Sequence, residues 1–204
     1  MQFAEFITYP ELAFHSRILG GFISLLWVLE IADTLLFRGW LNRFGILPRR
    51  WIGLRGIVFA PLLHGNLRHL SMNTVPLMVL GWLILVRSTQ IFVLVTVGVW
   101  LIGGLGVWLF AAPKSNHIGA SGLVFGYLGF LLANGYFEQS AVAIATATLV
   151  GLLYGSTLWG VLPSRRGVSW QGHLFGAITG VFCAYYLLPL QRWLQTLPPE
   201  LTRF

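Results

Sequence analysis

Long apolar stretches alternate with short polar connections along nearly the whole chain. A helix that rises about 1.5 Å per residue needs roughly 20 apolar residues to cross the hydrocarbon core of a bilayer. Several stretches reach that length, and the fourth is shorter than the others. The pattern predicts six transmembrane helices with both termini on one side, at about 18–37, 66–87, 90–111, 120–135, 140–160 and 171–190.

The composition supports this interpretation. Of the 204 residues, 56% are hydrophobic and 9% are charged, and the mean hydropathy is +0.77. Soluble domains carry about 25% charged residues. We therefore expect one all-helical membrane domain over residues 1–204, without a large soluble part. The single cysteine, Cys183, falls inside the last apolar stretch and is expected to be a small core residue.

The longest connection, residues 38–65, mixes aromatic residues with arginines. Such a segment favours the membrane interface, where aromatic rings face the bilayer and arginines reach lipid phosphates. We predict an interfacial hairpin here and membrane lipid as a partner. The residues concerned are Trp40, Phe44, Trp51 and Phe59, with Arg38, Arg43, Arg49, Arg50 and Arg55.

The net charge is +7, but the cations are spread over the connections and do not form a continuous basic groove. Attraction to anionic lipid is therefore expected, and nucleic acid is not. If the termini are cytoplasmic, the positive-inside rule favours the opposite orientation. Much of the excess of cations on the side away from the termini belongs to the hairpin, which can bind phosphates of either leaflet. The termini side holds Arg17, Arg87, Arg192 and Arg203; the other side holds Arg38, Arg43, Arg49, Arg50, Arg55, Arg68, Lys114, Arg165 and Arg166.

Few polar side chains fall inside the predicted spans. Each costs about 2.5–3.5 kcal/mol on insertion scales, so each is a candidate for function. Glu30 and Asp33 lie one turn apart in the first span, and no second carboxylate-bearing span exists to form an aspartyl dyad with them. Structural pairing or headgroup contact is the expectation for these two. The others are His69, Asn73, Ser121 and His173.

Ser121 lies at the predicted first turn of the fourth helix, after Gly119 and Ala120. The unpaired N–H groups and the positive dipole end of that helix favour negative charge on its oxygen. A serine at this position can also serve simply as a helix cap. His173 begins the sixth helix, where it is either a hydrogen-bonded core histidine or a base for the serine.

Glycine spacing favours the second alternative for His173. Gly176 and Gly180 follow it on the same face, and Gly122 and Gly126 are spaced to receive them on the fourth helix. Small residues at this spacing let membrane helices approach closely. The imidazole would then accept the serine proton during attack and return it to a leaving amine.

His69 and Asn73 are four residues apart and share one face of the second helix. Both can donate hydrogen bonds to an oxyanion, and the Ser121 N–H is a third donor. They can equally form an interhelical polar contact that stabilises the bundle. His64, five residues before His69, is expected on another face and nearer the interface. No HExxH motif or carboxylate ligand accompanies the histidines, so neither a metal nor a cofactor is expected.

Together these residues resemble the rhomboid family of intramembrane serine proteases. The resemblance spans about residues 18–190 and depends on the GASG box at 119–122, on His173 with Gly176 and Gly180, and on His64, His69 and Asn73 of the second-helix pattern. It implies a six-helix rhomboid bundle with a short fourth helix. It also implies Ser121 as nucleophile, His173 as general base, and an oxyanion site of His69, Asn73 and the Ser121 N–H.

The resemblance carries further expectations. Substrates would be transmembrane segments of other proteins that enter between the second and fifth helices. The active site would face the outer side of a bacterial inner membrane, under a cap formed by residues 160–169. Phe125 stands where the family often has a tyrosine that stacks on the histidine, and Leu54-Arg55 stands near the place of a Trp-Arg pair.

Two other functions are alternatives to a protease. One is a catalytically silent rhomboid-like protein that binds membrane clients, and the intact Ser121 and His173 argue against it. The other is a small-solute transporter or channel, which would need a polar path through the bilayer. The polar residues instead gather toward one face, and the two halves of the chain show no repeat.

Overall fold

A computed structural model of the protein describes residues 9–163 and 169–195, without the side chains of residues 188 and 190–195. Residues 164–168 of the predicted cap, Arg165, Arg166 and Arg203 lie outside the described residues, as does the side chain of Arg192. The described helices are α1 Tyr9–Ala32, α2 Arg55–Phe59, α3 Leu67–Leu85, α4 Thr89–Gly98, α5 Gly104–Phe110, α6 Ser121–Glu138, α7 Ala141–Tyr154 and α8 Trp170–Gln195.

Helical segments of other types lengthen some of these helices. A π-helical segment, Asp33–Phe37, continues α1, and another, Val99–Gly103, joins α4 to α5; a 3-10 segment, Gly155–Val161, continues α7. Six long helical stretches result, close to the predicted bounds. The first begins at Tyr9 instead of residue 18, because His15 is buried there and its Nε2 lies 3.1 Å from Thr89 Oγ1.

In the described part of the chain, three stretches are long and apolar enough to cross a membrane: Tyr9–Phe37, Thr89–Phe110 and Ala141–Val161. The other three long helices, α3, α6 and α8, carry the glycines and polar residues singled out above. The described chain is thus an all-helical bundle with at least three membrane-spanning candidates. With 18 residues, α6 is the shortest of the six stretches.

The core of the bundle surrounds α6. Twelve of its 18 residues are buried, and Tyr127, Leu128 and Phe130 are inaccessible to solvent. The helix packs most extensively against α8 and also contacts α7 and α3. Because protein surrounds α6 on most sides, it can tolerate glycine and polar residues that a lipid-facing helix could not.

Glycines bring α6 and α8 into backbone contact, as their spacing predicted. A Cβ added to Gly176 would collide with the Gly122 carbonyl, and one added to Gly180 would collide with the Gly126 carbonyl. We call this contact the glycine seam. It fixes how far along α6 each residue of α8 lies.

The predicted interfacial hairpin is a series of short turns between α1 and α3. Besides α2, it contains the 3-10 segments Trp40–Phe44, Trp51–Leu54 and Ala60–Leu62. Trp51 is 84% exposed, and the Arg55 guanidinium lies 4.5 Å from the Phe44 ring centroid and donates to the Arg43 carbonyl. Arg38, Arg43, Arg49 and Arg50 are exposed.

The carboxylates of the first helix have structural contacts. Asp33 is buried and accepts a hydrogen bond from the Leu41 N–H over 2.9 Å, which ties the start of the hairpin to the end of the helix. Glu30 is also buried and accepts from the Thr34 hydroxyl. Asp33 therefore stabilises the chain reversal, and Glu30 is paired within its own helical stretch.

Candidate active site

Ser121 is the first residue of α6, and the residue at the cap position is Ala120, which makes no side-chain cap hydrogen bond. The Ser121 hydroxyl is therefore not used to cap the helix, and that alternative is excluded. The residue is 8% exposed, at the end of the helix where backbone N–H groups have no intrahelical acceptor. Its oxygen lies in the positive field of the α6 terminus.

His173 lies on α8, opposite Ser121 across the glycine seam. Its Nε2 is 3.0 Å from Ser121 Oγ, which is hydrogen-bond distance. Gly176 follows on the same face and contacts Gly122, so the approach of the two backbones is what brings the side chains together. The two residues are 52 positions apart in the sequence, and only the packing of α8 on α6 joins them.

The carbonyl of Gly160 determines which ring nitrogen of His173 carries the proton. Its oxygen lies 2.9 Å from His173 Nδ1 and can only accept a hydrogen bond, so Nδ1 carries the proton. Nε2 then presents its lone pair to the Ser121 hydroxyl. A backbone carbonyl here takes the orienting place that a carboxylate has in a Ser-His-Asp triad.

Phe125 fixes the plane of the imidazole. Its ring is stacked on His173 with centroids 4.1 Å apart and planes 4° from parallel. Phe125 is one turn beyond Ser121 on α6, so one helix supplies both the hydroxyl and the surface on which its partner rests. The His173 ring is thus held on its edge by Gly160 and on its face by Phe125.

His69 and Asn73 of α3 converge on Gly119, two residues before Ser121. A Cβ on Gly119 would lie 2.7 Å from His69 Cε1 and 3.8 Å from Asn73 Nδ2, and its φ of +115° also requires glycine. Among the described residues, the buried Asn73 Nδ2 has no hydrogen-bond partner. An unpaired buried donor is costly, so this amide is available for a ligand.

His64 lies beside these residues and not on a separate face. It belongs to the loop before α3, where it is 1% exposed and its ring packs edge-on against His69 with centroids 5.2 Å apart. The Ala120 N–H donates to its Nε2 over 3.3 Å. Burial and the neighbouring His69 lower the pKa of His64 to about 3, which keeps the ring neutral and able to accept. The sequence-based placement of His64 on another face was wrong because α3 begins only at Leu67, so helical spacing does not relate His64 to His69.

A cavity of about 50 Å³ opens beside Ser121 on the side of the hairpin. Its walls include Ile57, Val99 and Val107, and also Gly103, which faces Phe175 and Gly176 of α8. One water needs roughly 10–15 Å³ on this measure, so the space holds a few waters or a small side chain. His117 and Ser169 add polar groups at its edge.

Three parts of this site had no specific signal in the sequence. The Gly160 carbonyl is a backbone group, which no motif reports. No motif gives His117 a role at the site, and Ser169 was expected only as part of the cap. His117 is buried, and burial lowers its pKa to about 4.

Taken together, the site joins a hydroxyl, an oriented imidazole acceptor and an unpaired amide donor around one buried point. These are the parts that nucleophilic acyl transfer requires. Among the described residues, no three histidine, cysteine or acidic side chains are grouped as metal ligands would be.

Comparison with known proteins shows the family of the chain. The Rhomboid domain family matches residues 51–190. The uncharacterized protein Rv1337 of Mycobacterium tuberculosis is 44% identical over 179 residues, which cover 84% of this chain and 74% of that protein. An uncharacterized protein of Mycobacterium leprae, ML1171, is also 44% identical over 179 residues, covering 84% of this chain and 70% of its own length.

Plant relatives carry the family name. RHOMBOID-like protein 5 of Arabidopsis thaliana is 31% identical over 162 residues, which cover 72% of this chain and half of that protein's length. RHOMBOID-like protein 4 of the same plant is 34% identical over 133 residues, covering 62% of this chain and 32% of its own. With its apolar helices and this match over most of its length, the chain is an integral membrane protein that belongs to the rhomboid family.

Proposed function

We propose that this protein is an intramembrane serine protease in which Ser121 is the nucleophile and His173 the general base. The observation that carries the proposal is the contact of Ser121 Oγ with His173 Nε2 at 3.0 Å, with the His173 Nδ1 proton held by the Gly160 carbonyl. A nucleophile next to an oriented base is the arrangement that activates a serine hydroxyl.

The reaction would proceed in two halves. Ser121 Oγ attacks the peptide carbonyl as its proton passes to His173 Nε2, and the imidazolium then protonates the leaving nitrogen so that the C–N bond breaks. The carbonyl carbon stays bound to Ser121 as an ester. Water then gives a proton to His173 and attacks this ester, and the serine oxygen leaves with the proton that His173 returns.

Three donors are proposed to stabilise the oxyanion: the Asn73 amide, the His69 ring and the Ser121 N–H. The unpaired Asn73 Nδ2 and the convergence of both side chains on Gly119 support this assignment. Each donor is typically worth a factor of ~10²–10³ in rate. The cavity beside Ser121 would supply the water for the second half of the reaction.

We also infer a six-span topology, in which α3, α6 and α8 cross the membrane inside the bundle. Burial of α6 explains why hydropathy alone does not select it, since its polar and small residues face protein and not lipid. The substrates would be transmembrane segments of other proteins. The bacterial relatives and the family pattern support a bacterial inner membrane, with the site toward the outer face.

Lipid is the second proposed partner, at the hairpin. Four arginines are exposed there next to the exposed rings of Trp40 and Trp51. Juxtamembrane arginines gain about 1 kcal/mol each near an anionic surface. The four are Arg38, Arg43, Arg49 and Arg50.

Labelling with a serine-directed fluorophosphonate tests the proposal without a known substrate. The wild-type protein should become labelled, and Ser121→Ala and His173→Ala should each abolish labelling, because one removes the attacking oxygen and the other its base. The same two variants should lose cleavage of a reporter transmembrane substrate. Asn73→Ala should keep part of the activity, with a loss of ~10²-fold, because two donors remain.

Folding controls make the result decisive. Each variant should insert in the membrane and melt within a few degrees of the wild-type protein in detergent. A folded wild-type protein that takes no label would favour the catalytically silent alternative. Labelling that persists in Ser121→Ala would mean that another serine is the nucleophile.

A further inference from the structure

A second polar contact joins the loop before α6 to the start of α8. His117 Nδ1 lies 2.6 Å from Ser169 Oγ, and both residues are four positions before the partners of the first contact, Ser121 and His173. The two contacts therefore form successive rungs between the same two segments. His117 is 6% exposed, so the imidazole of this rung is shielded from solvent, whereas Ser169 is half-buried.

The hydrogen bonds around His117 show which group donates and which accepts in each of them. The Ser115 hydroxyl donates to the Ala112 carbonyl over 2.6 Å, so it is free to accept from His117 Nε2, which lies 2.7 Å away. Nε2 then carries the imidazole proton, and Nδ1 accepts from the Ser169 hydroxyl. A continuous chain of donors therefore runs from Ser169 through His117 and Ser115 to the backbone.

The backbone on the His117 side is held in place. The His117 N–H donates to the Ile46 carbonyl over 3.1 Å, and the His117 carbonyl accepts from the Ile46 N–H over 2.9 Å. Two residues later, the Gly119 N–H donates to the Ala60 carbonyl over 2.8 Å. The segment that leads into Ser121 is thus anchored on the hairpin, and His117 extends from that anchor.

On the other side, Ser169 immediately precedes α8. Its carbonyl accepts from the His173 N–H over 3.2 Å, so the two residues are joined through the first turn of the helix. A shift of Ser169 would move that turn, and with it the imidazole of His173. The glycine seam limits movement further along α8, and Ser169 is the point where its first turn is held from outside.

From this geometry we infer that His117 is a positioning residue, which holds Ser169 and the first turn of α8 so that His173 Nε2 stays within reach of Ser121 Oγ. The inference extends the proposed function, since it assigns the control of the Ser121–His173 distance. The side-chain hydrogen bonds described for His117 go to Ser169 and Ser115, so it acts on His173 through Ser169.

Two replacements of His117 separate this role from simple filling of the loop. An asparagine places an acceptor near the position of Nδ1 and keeps the bond from Ser169, whereas a glutamine reaches the position of Nε2 and keeps the bond to Ser115. We expect His117→Asn to label with fluorophosphonate within a few-fold of the wild-type rate. His117→Gln, His117→Ala and Ser169→Ala should label ~10–100-fold more slowly, as misplacement of a catalytic group by about 1 Å does.

Further readouts distinguish positioning from loss of stability. With a reporter substrate, the kcat of His117→Gln, His117→Ala and Ser169→Ala should fall while their KM stays unchanged. The double variant His117→Ala/Ser169→Ala should be no slower than either single variant, because both remove one interaction. Hydrogen exchange should accelerate in the first turn of α8 in Ser169→Ala, and this measurement needs no activity.

The outcomes separate the two proposals. If the wild-type protein takes no label, the protease assignment fails, and hydrogen exchange still tests the contact. If the wild-type protein is labelled but Ser169→Ala labels at the same rate, or Gln replaces His117 better than Asn does, the positioning role is wrong and the protease assignment stands. If His117→Ala fails to fold, Ser169→Ala and His117→Asn still test the positioning role of His117.

Discussion

The two neighbours of α6 are held to it in different ways. Toward α8, glycines bring the backbones together until no Cβ fits between them, and the candidate catalytic residues lie at one end of this seam. Toward α7, only Ala143 and Val150 are buried, and large side chains such as Leu152, at 81% exposure, face away from the protein. The α7 interface has a close approach too, at Gly135, where an added Cβ would meet Ala147 and the Ala143 carbonyl. It buries few side chains of α7, whereas the seam with α8 brings Gly176 and Gly180 against backbone carbonyls of α6 next to the site.

The α8 interface fixes the spacing of two helices, whereas the α7 interface allows its helix to move. A hydrogen bond between two helices needs their separation fixed within a few tenths of an ångström, and backbone contact through glycine provides that. A helix with few buried residues can be displaced at low cost. We expect α6 and α8 to move as one unit, and α7 to carry little of the stability of the site.

The largest effect should follow a bulky residue in the seam. Gly180→Leu would place a side chain against the Gly126 carbonyl and the Phe130 backbone, which cannot move without separating the helices. We expect a loss of ~3 kcal/mol or more in stability, at the upper end for over-packing, together with loss of fluorophosphonate labelling. Thermal unfolding in detergent and labelling of the same sample measure both.

The matched control for this change is Gly155→Leu at the end of α7. A Cβ at Gly155 meets no atom within 4 Å, and its φ of −58° suits any residue. This variant should melt within a few degrees of the wild-type protein and keep its label. Equal damage from both variants would contradict the distinction between the two interfaces.

Truncating one leucine on each helix gives the next largest effect. Leu128 on α6 is fully buried, so Leu128→Ala should cost roughly 2–5 kcal/mol through the cavity it leaves. Leu152→Ala on α7 removes a side chain that is 81% exposed and should cost less than ~0.5 kcal/mol. Unfolding in detergent at one fixed temperature compares the pair, and similar losses would show that α7 is part of the core.

The smallest effect is expected at the ring that supports His173. Phe125→Leu removes the stack at 4.1 Å, which is worth about 0.5–1.5 kcal/mol, so labelling should slow ~2–10-fold. Phe92→Leu is the control, because Phe92 is equally buried and packs on Tyr127 instead. If both variants slow labelling equally, the effect comes from core packing and not from support of the imidazole.

The sequence predicted features that depend on local composition and missed those that depend on long-range contacts. Apolar length predicted the long helices closely, because each span is a local property of about 20 residues. It missed the start of α1 at Tyr9, where the long-range contact of His15 with Thr89 stabilises a polar turn. It also misplaced His64, whose position depends on the Ala120 N–H, 56 residues away.

Ser121 shows the limit of local inference. From the sequence, its hydroxyl could cap α6 or react, and only the other polar residues, His173, His69 and Asn73, favoured the second alternative. The structure assigns the cap position to Ala120 and leaves the hydroxyl to His173. The choice depends on where α8 lies, which no residue near Ser121 encodes.

By itself, the sequence determined the membrane character of the chain, the approximate helix bounds and the glycine spacing that lets α6 meet α8, since all three depend on local composition and periodicity. The tertiary structure decided which atoms meet: Gly160 with His173, Asn73 with the space over Gly119, and His117 with Ser169. These contacts join residues far apart in the chain, and several involve backbone groups that every residue carries. Only the packing of the helices selects among them.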